Sequence, residues 1–229
     1  MLILLIETST ERGLVAILDG LNILFHRSLP FGYQNSKMLL ATIDEGLKAV
    51  GKQLTEFTFI GVGVGPGSYT GIRVGAIVAK SLSYAAAVPL VGVCSLETFM
   101  PLQNGLFATM IDAKIGGIYL IKGKKDSDQI TYLSEPQILS ITDAMPILED
   151  VKQIITPNAL RLKALWKEIH WAWQELSPDP IHFAKRAILK FEKGQFSRDS
   201  SLELLYLRKT QAELELEREH GCKPDYPKN

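Results

Sequence analysis

The chain has 229 residues, 46% of them hydrophobic and 22% charged, with 25 basic side chains balanced by 25 acidic ones. That length supports one or two compact domains with a sizeable core, and the composition excludes a disordered or fibrous chain. A net charge of zero supplies no global field to draw in nucleic acid.

Smaller counts exclude more. Cys94 and Cys222 form no spaced pattern and suit a reducing compartment rather than a disulfide framework. His26, His170, His182 and His220 are scattered, with no spacing that suits a structural metal. The apolar runs are too short to span a bilayer, and Met1 leads into Leu2–Ile6 with no basic segment or cleavage signal of a leader.

Leu2–Ile6 reads as a buried strand ending in the polar turn Glu7-Thr8-Ser9-Thr10-Glu11-Arg12-Gly13. The hydroxyls of Thr8, Ser9 and Thr10 suit a phosphate wrapped from one side, although Ser and Thr favour turns in any case. Leu14–Leu18 and Leu21–Leu29 follow as two strands about the hairpin signal Asp19-Gly20. A helix is predicted from about Ser36 to Val50, stopped by Gly51, with Leu40, Ile43 and Leu47 in a seam for another helix.

The densest punctuation comes next. A buried strand ending at Val64 runs into Gly65-Pro66-Gly67-Ser68-Tyr69-Thr70-Gly71, which opens a helix at about Ile72. A helix start presents unpaired N–H groups to an anion, and glycine lets a ligand or another backbone approach. The loop fits neither the Walker pattern nor G-x-G-x-x-G, so a plain strand–helix turn is the alternative. Along the helix, Gly75, Ala79 and Ser83 continue from Gly71 in steps of four. That small-residue stripe suits close packing, either by another helix or by the chain's own sheet.

Leu90–Val93 reads as a short strand and Leu96–Leu102 as a short helix capped by Ser95. Leu106–Ile111, Asp112, a turn and Ile118–Ile121 repeat the plan of the N-terminus, which suggests two duplicated lobes, 1–103 and 104–229. Lys122–Gln129 reads as a polar tip, and 130–177 carries no chemical signal beyond a packing cluster of Trp166, Trp171 and Trp173. An amphipathic helix over 178–193, a strand over Leu202–Leu207 and a charged tail from Lys209 complete the α/β pattern.

Four segments carry a resemblance over nearly the whole chain. They are Ile6-Glu7-Thr8-Ser9-Thr10, the block from Gly63 through Gly75, Ile111-Asp112-Ala113-Lys114 and Leu205-Tyr206-Leu207-Arg208. Together they resemble the bacterial TsaB family, also called YeaZ. The resemblance implies the actin-like ATPase (ASKHA) fold, two ribonuclease-H-like lobes with the second abbreviated. It implies a cytoplasmic, non-catalytic scaffold for a TsaD-type ligase that, with a TsaE-type ATPase, modifies the adenosine beside a tRNA anticodon with threonylcarbamoyl. tRNA would be met only through the complex, with no membrane and no required cofactor.

Carried over by motif, Glu7, Thr8, Ser9, Thr10, Gly65, Gly67, Ser68, Thr70 and Asp112 form a vestigial nucleotide cleft, with at most weak ATP or ADP and magnesium in the complex. Leu40, Ile43, Leu47, Gly75, Ala79 and Ser83 form the partner interface, a four-helix bundle that a second copy could also make. Three departures fit a cleft not used for chemistry. Glu7 replaces the family's usual aspartate, Asn35-Ser36 its His-Ser, and Gly116-Gly117 its Gly-Glu. The competing expectations are an active ATP-binding enzyme using Glu7 and Asp112 at magnesium, and a metallopeptidase, for which no ligand spacing is present.

Overall fold

The computed structural model describes residues 1–32, 35–114, 117–166, 171–198 and 201–207. Gly116, Arg208 and the tail from Lys209 therefore lie outside the described residues. The first sheet contains β1 (Leu2–Glu7), β2 (Leu14–Asp19), β3 (Asn22–Ser28), β4 (Phe59–Gly63) and β5 (Leu90–Val93), in the order β3-β2-β1-β4-β5. β1 to β3 form an antiparallel meander, and β4 and β5 add in parallel beside β1. Two helices, α1 (Asn35–Val50) and α2 (Tyr69–Ala86), make the crossovers that parallel pairing requires.

β1 is apolar at successive positions because both faces of its sheet are covered. Leu4, Ile6, Ile60 and Val62 face α1 and α2. Ile3, Leu5, Phe59 and Val91 face α5 (Pro180–Glu192) through Phe183, Ala184 and Ala187. α5 starts where Asp179 caps it, Oδ1 accepting the His182 N–H at 2.6 Å, with Pro180 in the first turn.

The second sheet repeats the plan. β6 (Gly105–Asp112) pairs antiparallel with β7 (Gly117–Asp126) and parallel with β10 (Gln153–Thr156), which pairs parallel with β11 (Ala172–Glu175). β8 (Gln129–Tyr132) and β9 (Gln137–Ser140) add to β7. Two short helices, α3 (Ile141–Leu148) and α4 (Ala159–Lys163), complete the lobe. Glu7 closes β1 opposite Leu14 as Asp112 closes β6 opposite Ile118, so the two strand-end acids are structural counterparts.

Several expectations are corrected. The second lobe does not own all of 104–229, because α5 packs on the first sheet and Leu202, Leu204 and Leu205 pack against that sheet's helix-side core. The span 201–207 is not a strand. It is irregular, with the Leu205 N–H donating to the Val64 carbonyl at 2.9 Å. Lys122–Asp126 is the end of β7, whose backbone is paired by β6 and β8 whatever its charged side chains. Ser95–Thr98 forms a single 3-10 turn rather than a helix to Leu102, and α2 begins at Tyr69 rather than Ile72. The tryptophans pack as expected, Trp166 and Trp171 edge to face at 5.1 Å.

Candidate functional site

The ends of β1 and β6 face each other across a cleft between the lobes. Thr8, Ser9, Thr10, Ser68 and Thr70 line it from the first lobe, and Asp112, Lys114, Asn158 and Arg161 from the second, around about 240 Å³. The glycine loop is tied to the β1 turn rather than left open. The Ser68 N–H donates to the Ser9 carbonyl at 2.6 Å, and the Thr8 hydroxyl to the Gly71 carbonyl at 2.8 Å. Ser68 caps α2, its hydroxyl accepting the Gly71 N–H at 3.3 Å. A Cβ on Gly67 would stand 2.3 Å from the Ser9 carbonyl oxygen, so the approach of the two backbones accounts for glycine there.

Three expected residues are not in the cleft wall. Gly65 is buried behind it, its N–H donating to the Ser95 hydroxyl at 3.1 Å, and Gly67 backs onto Ser9. Glu7 lies beneath, 1% exposed. Its Oε1 accepts the Ser9 N–H at 2.6 Å, and its Oε2 has no partner among the described residues. A Cβ at Gly63 would fall 2.0 Å from that oxygen, so glycine at 63 makes room for the longer acid. Burial pushes the Glu7 carboxyl above the usual carboxylate range, and the hydrogen bond from the Ser9 N–H only partly opposes this.

On the other wall, Asp112 is ion-paired with Arg161 and accepts the Lys114 N–H at 2.7 Å. Asn158 caps α4 through its side-chain oxygen, and its Nδ2 reaches across to donate to Glu11 Oε1 at 3.1 Å. Arg12 crosses in the same place. Its Nε donates to the Pro157 carbonyl at 2.6 Å, and its guanidinium pairs with Glu175. Glu175 in turn accepts the Ala159 N–H at 2.9 Å.

The small-residue stripe is not a free surface. Gly75 and Ser83 are buried and Ala79 is fully buried, all within the monomer. A Cβ on Gly75 would meet the Thr8 hydroxyl at 2.3 Å, and the Ser83 hydroxyl donates to the Val88 carbonyl at 2.6 Å. Ile43 is buried and Leu47 half-buried in the same core, so of the six expected interface residues only Leu40 stands in solvent. The stripe is small because α2 lies close on its own sheet.

A family model described as TsaD, tRNA N6-adenosine threonylcarbamoyltransferase, matches residues 33–176, more than half of the chain. The chain belongs to this family, in its TsaB (YeaZ) branch. The tRNA threonylcarbamoyladenosine biosynthesis protein TsaB of Escherichia coli K12 is 28% identical over 179 residues, covering 76% of this chain and 73% of that one. The Haemophilus influenzae TsaB is 29% identical over 177 residues, 72% of each. YeaZ from Pseudomonas aeruginosa superposes with a TM-score of 0.74 at 19% identity, over 90% of this chain and 99% of that one. The two duplicated sheets are thus those of the actin-like ATPase fold.

That fold implies a magnesium nucleotide, and the residues of this TsaB-type cleft do not fit one. The Ser68 and Gly71 N–H groups are spent within the loop, and Arg161 neutralises Asp112. Glu7 is buried under Ser9, outside the cleft lining, with one oxygen taken by the Ser9 N–H. The Ser9 hydroxyl is the one donor lining the cleft that is buried and unpartnered among the described residues. Among those residues no three His, Cys, Asp or Glu side chains are arranged to hold a metal ion, and no helix is long and apolar enough to cross a membrane.

Glu11, Asn158 and Arg161 line the cleft, with Arg12 beside them, and sequence reasoning assigned none of them to the site. Thr156-Pro157-Asn158 joins β10 to α4 in the second lobe as the glycine loop joins β4 to α2 in the first. The duplication was the signal that could have located it, since the loop has no glycine of its own.

Proposed function

We propose that this TsaB-type chain is a non-catalytic subunit in tRNA threonylcarbamoyladenosine biosynthesis, working as the partner of a TsaD-type ligase. The observation that carries the proposal is the solvent side of α1 and α2. Leu40 is 60% exposed, Ile77 64% and Tyr84 83%, on two helices that pack against each other. Single exposed apolar residues are ordinary, but large ones on one helix pair mark an interaction surface. Two helices of the partner laid across this pair would complete a four-helix bundle. The same side would serve a second copy, so homodimer and heterodimer compete.

A TsaE-type ATPase is the third component, and tRNA reaches this cytoplasmic subunit only through the complex, in keeping with zero net charge. The subunit needs no cofactor of its own. Any ATP or ADP with magnesium at the cleft binds weakly, since the Ser68 and Gly71 N–H groups are engaged within the chain and Arg161 pairs with Asp112.

The test is a reconstituted modification assay with a TsaD-type subunit and a TsaE-type ATPase. Wild-type chain restores threonylcarbamoylation and Ile77→Asp, still folded, does not. Full activity with Ile77→Asp, or threonylcarbamoylation by this chain without the ligase, overturns the proposal.

A further inference from the structure

Among the described residues, one exposed cation is held in place by aromatic rings rather than by an acid. Arg73 lies on α2, one turn before Ile77 and on the same solvent side. Its guanidinium carbon stands 3.7 Å from the centroid of the Tyr69 ring. Its Nε donates to the Tyr206 hydroxyl at 3.0 Å, and the Tyr206 ring lies 5.9 Å away. The two tyrosine rings are 5.3 Å apart, and they are 44% and 40% exposed. Stacking on Tyr69 and the hydrogen bond to Tyr206 therefore fix the plane of an exposed guanidinium. No carboxylate pairs with Arg73 among the described residues.

An arginine left free in solution loses side-chain entropy when it forms an ion pair, and this one has lost much of it already. A preorganised guanidinium whose Nε is already engaged offers its Nη end to a carboxylate or a phosphate. The surroundings choose between them. A phosphate backbone is gripped by several cations in a row. Here the helix continues outward as Ile77 and Tyr84, and its only other cation, Lys80, is half-buried toward residues 201–205. Tyrosine and arginine beside apolar side chains are the composition of a protein–protein hot spot.

We infer that Arg73, braced by Tyr69 and Tyr206, is the polar anchor of the docking surface and pairs with a carboxylate of the protein that covers α1 and α2. This inference rests on the docking proposed above. It also gives the return of the chain at 201–207 a role, since Tyr206 is brought to α2 only by that return.

Titration calorimetry of the full chain against a TsaD-type subunit tests it, with circular dichroism confirming the fold of each variant. Arg73→Ala and Arg73→Glu weaken binding by about tenfold or more, the cost of leaving a partner carboxylate unpaired. Arg73→Lys recovers only part of this, because a point charge does not make the fork. Added salt weakens the wild type more than Arg73→Ala.

If Ile77→Asp abolishes binding while Arg73→Ala and Arg73→Glu bind like wild type, docking stands and the anchor is overturned. If the Arg73 variants lose affinity and Ile77→Asp does not, Arg73 meets the partner away from the α1–α2 surface, and both the docking and its anchor are overturned. Losses confined to tRNA binding, or to self-association measured by sedimentation, overturn the anchor in favour of phosphate or of a second copy. No binding by the wild type overturns both.

Discussion

Arg12 and Pro157 are joined across the interlobe cleft, the arginine Nε donating to the proline carbonyl at 2.6 Å. Arg12 stands on the turn after β1 and Pro157 on the turn after β10, so one side chain spans the mouth where the two lobes meet. Its guanidinium also pairs with Glu175 and lies 5.3 Å from the exposed Phe31 ring. Each lobe supplies the other with a partner that solvent would otherwise provide.

Arg12→Ala removes both contacts and leaves the Pro157 carbonyl to water. Because the pair with Glu175 is partly exposed, the expected loss is modest, about 1–2 kcal/mol. Hydrogen exchange should rise in the turns around 8–12 and 157–161 before it rises in β1 or β6. Uniform exchange across both sheets would show that Arg12 does not join the lobes.

The two sides of α2 predict opposite outcomes. Ala79 is fully buried against the first sheet, so Ala79→Trp overfills the core and destabilises the monomer by about 3 kcal/mol, the upper end of the usual cost of overpacking. Ile77, two positions before it, points to solvent, and Ile77→Asp should leave the melting temperature within a few degrees of wild type. A thermal melt of each variant decides. A folded Ala79→Trp chain of wild-type stability would return the stripe to the interface that the sequence first suggests.

His182 makes stability depend on acid. It is buried, with its Nε2 3.1 Å from the Tyr132 hydroxyl, and burial pushes its pKa down to about 4. Asp179 works against the shift, while Arg186, Lys185 and Lys125 add to it. The unfolded chain takes the proton near the ordinary value of 6.5 and the folded chain does not. The contribution is therefore whole above pH 6.5 and is lost as pH falls toward 4, about 3 kcal/mol in all. In denaturant titrations at pH 7 and pH 4.5, His182→Gln should lose less stability than wild type. Equal losses would show that His182 is not the group responsible.

Glu7 has the opposite sign. Its folded pKa is raised, so the folded chain keeps a proton that the unfolded chain releases near pH 4.5. That contribution is whole below 4.5 and is lost as pH rises through the folded value. Glu7→Gln carries no such loss and can still accept the Ser9 N–H, so its stability relative to wild type should climb with pH. Threonylcarbamoylation by the reconstituted complex should be unchanged by Glu7→Gln or by Asp112→Ala. A strong loss of modification in a folded variant would put one of these acids in the chemistry.

Much of the fold was legible because its strands are apolar on both faces. Leu2–Ile6, Leu14–Leu18 and Leu106–Ile111 read as buried from composition alone, and the glycine-rich loop marks the join to α2. What period and composition do not encode is the identity of the neighbour. A small-residue stripe looks the same whether a sheet or a foreign helix lies on it, and only the approach of Thr8 to Gly75 distinguishes the two. Arg12, Asn158 and Arg161 were missed for a related reason. Arg12 and Asn158 act across the lobes and Arg161 on Asp112 of its own lobe, all at separations of more than 40 residues that no local pattern records. The strand expected at Leu202–Leu207 failed because its apolar side chains fill gaps in both cores without joining a ladder.

The return of α5 to the first sheet has a consequence during synthesis. Ile3, Leu5, Phe59 and Val91 emerge from the ribosome long before Phe183, Ala184 and Ala187, which cover them. For most of translation, one whole side of the N-terminal sheet is bare and sticky. The first lobe is thus begun first and closed only once α5 has emerged, and until then its bare side is the kind of apolar surface that associates with other chains.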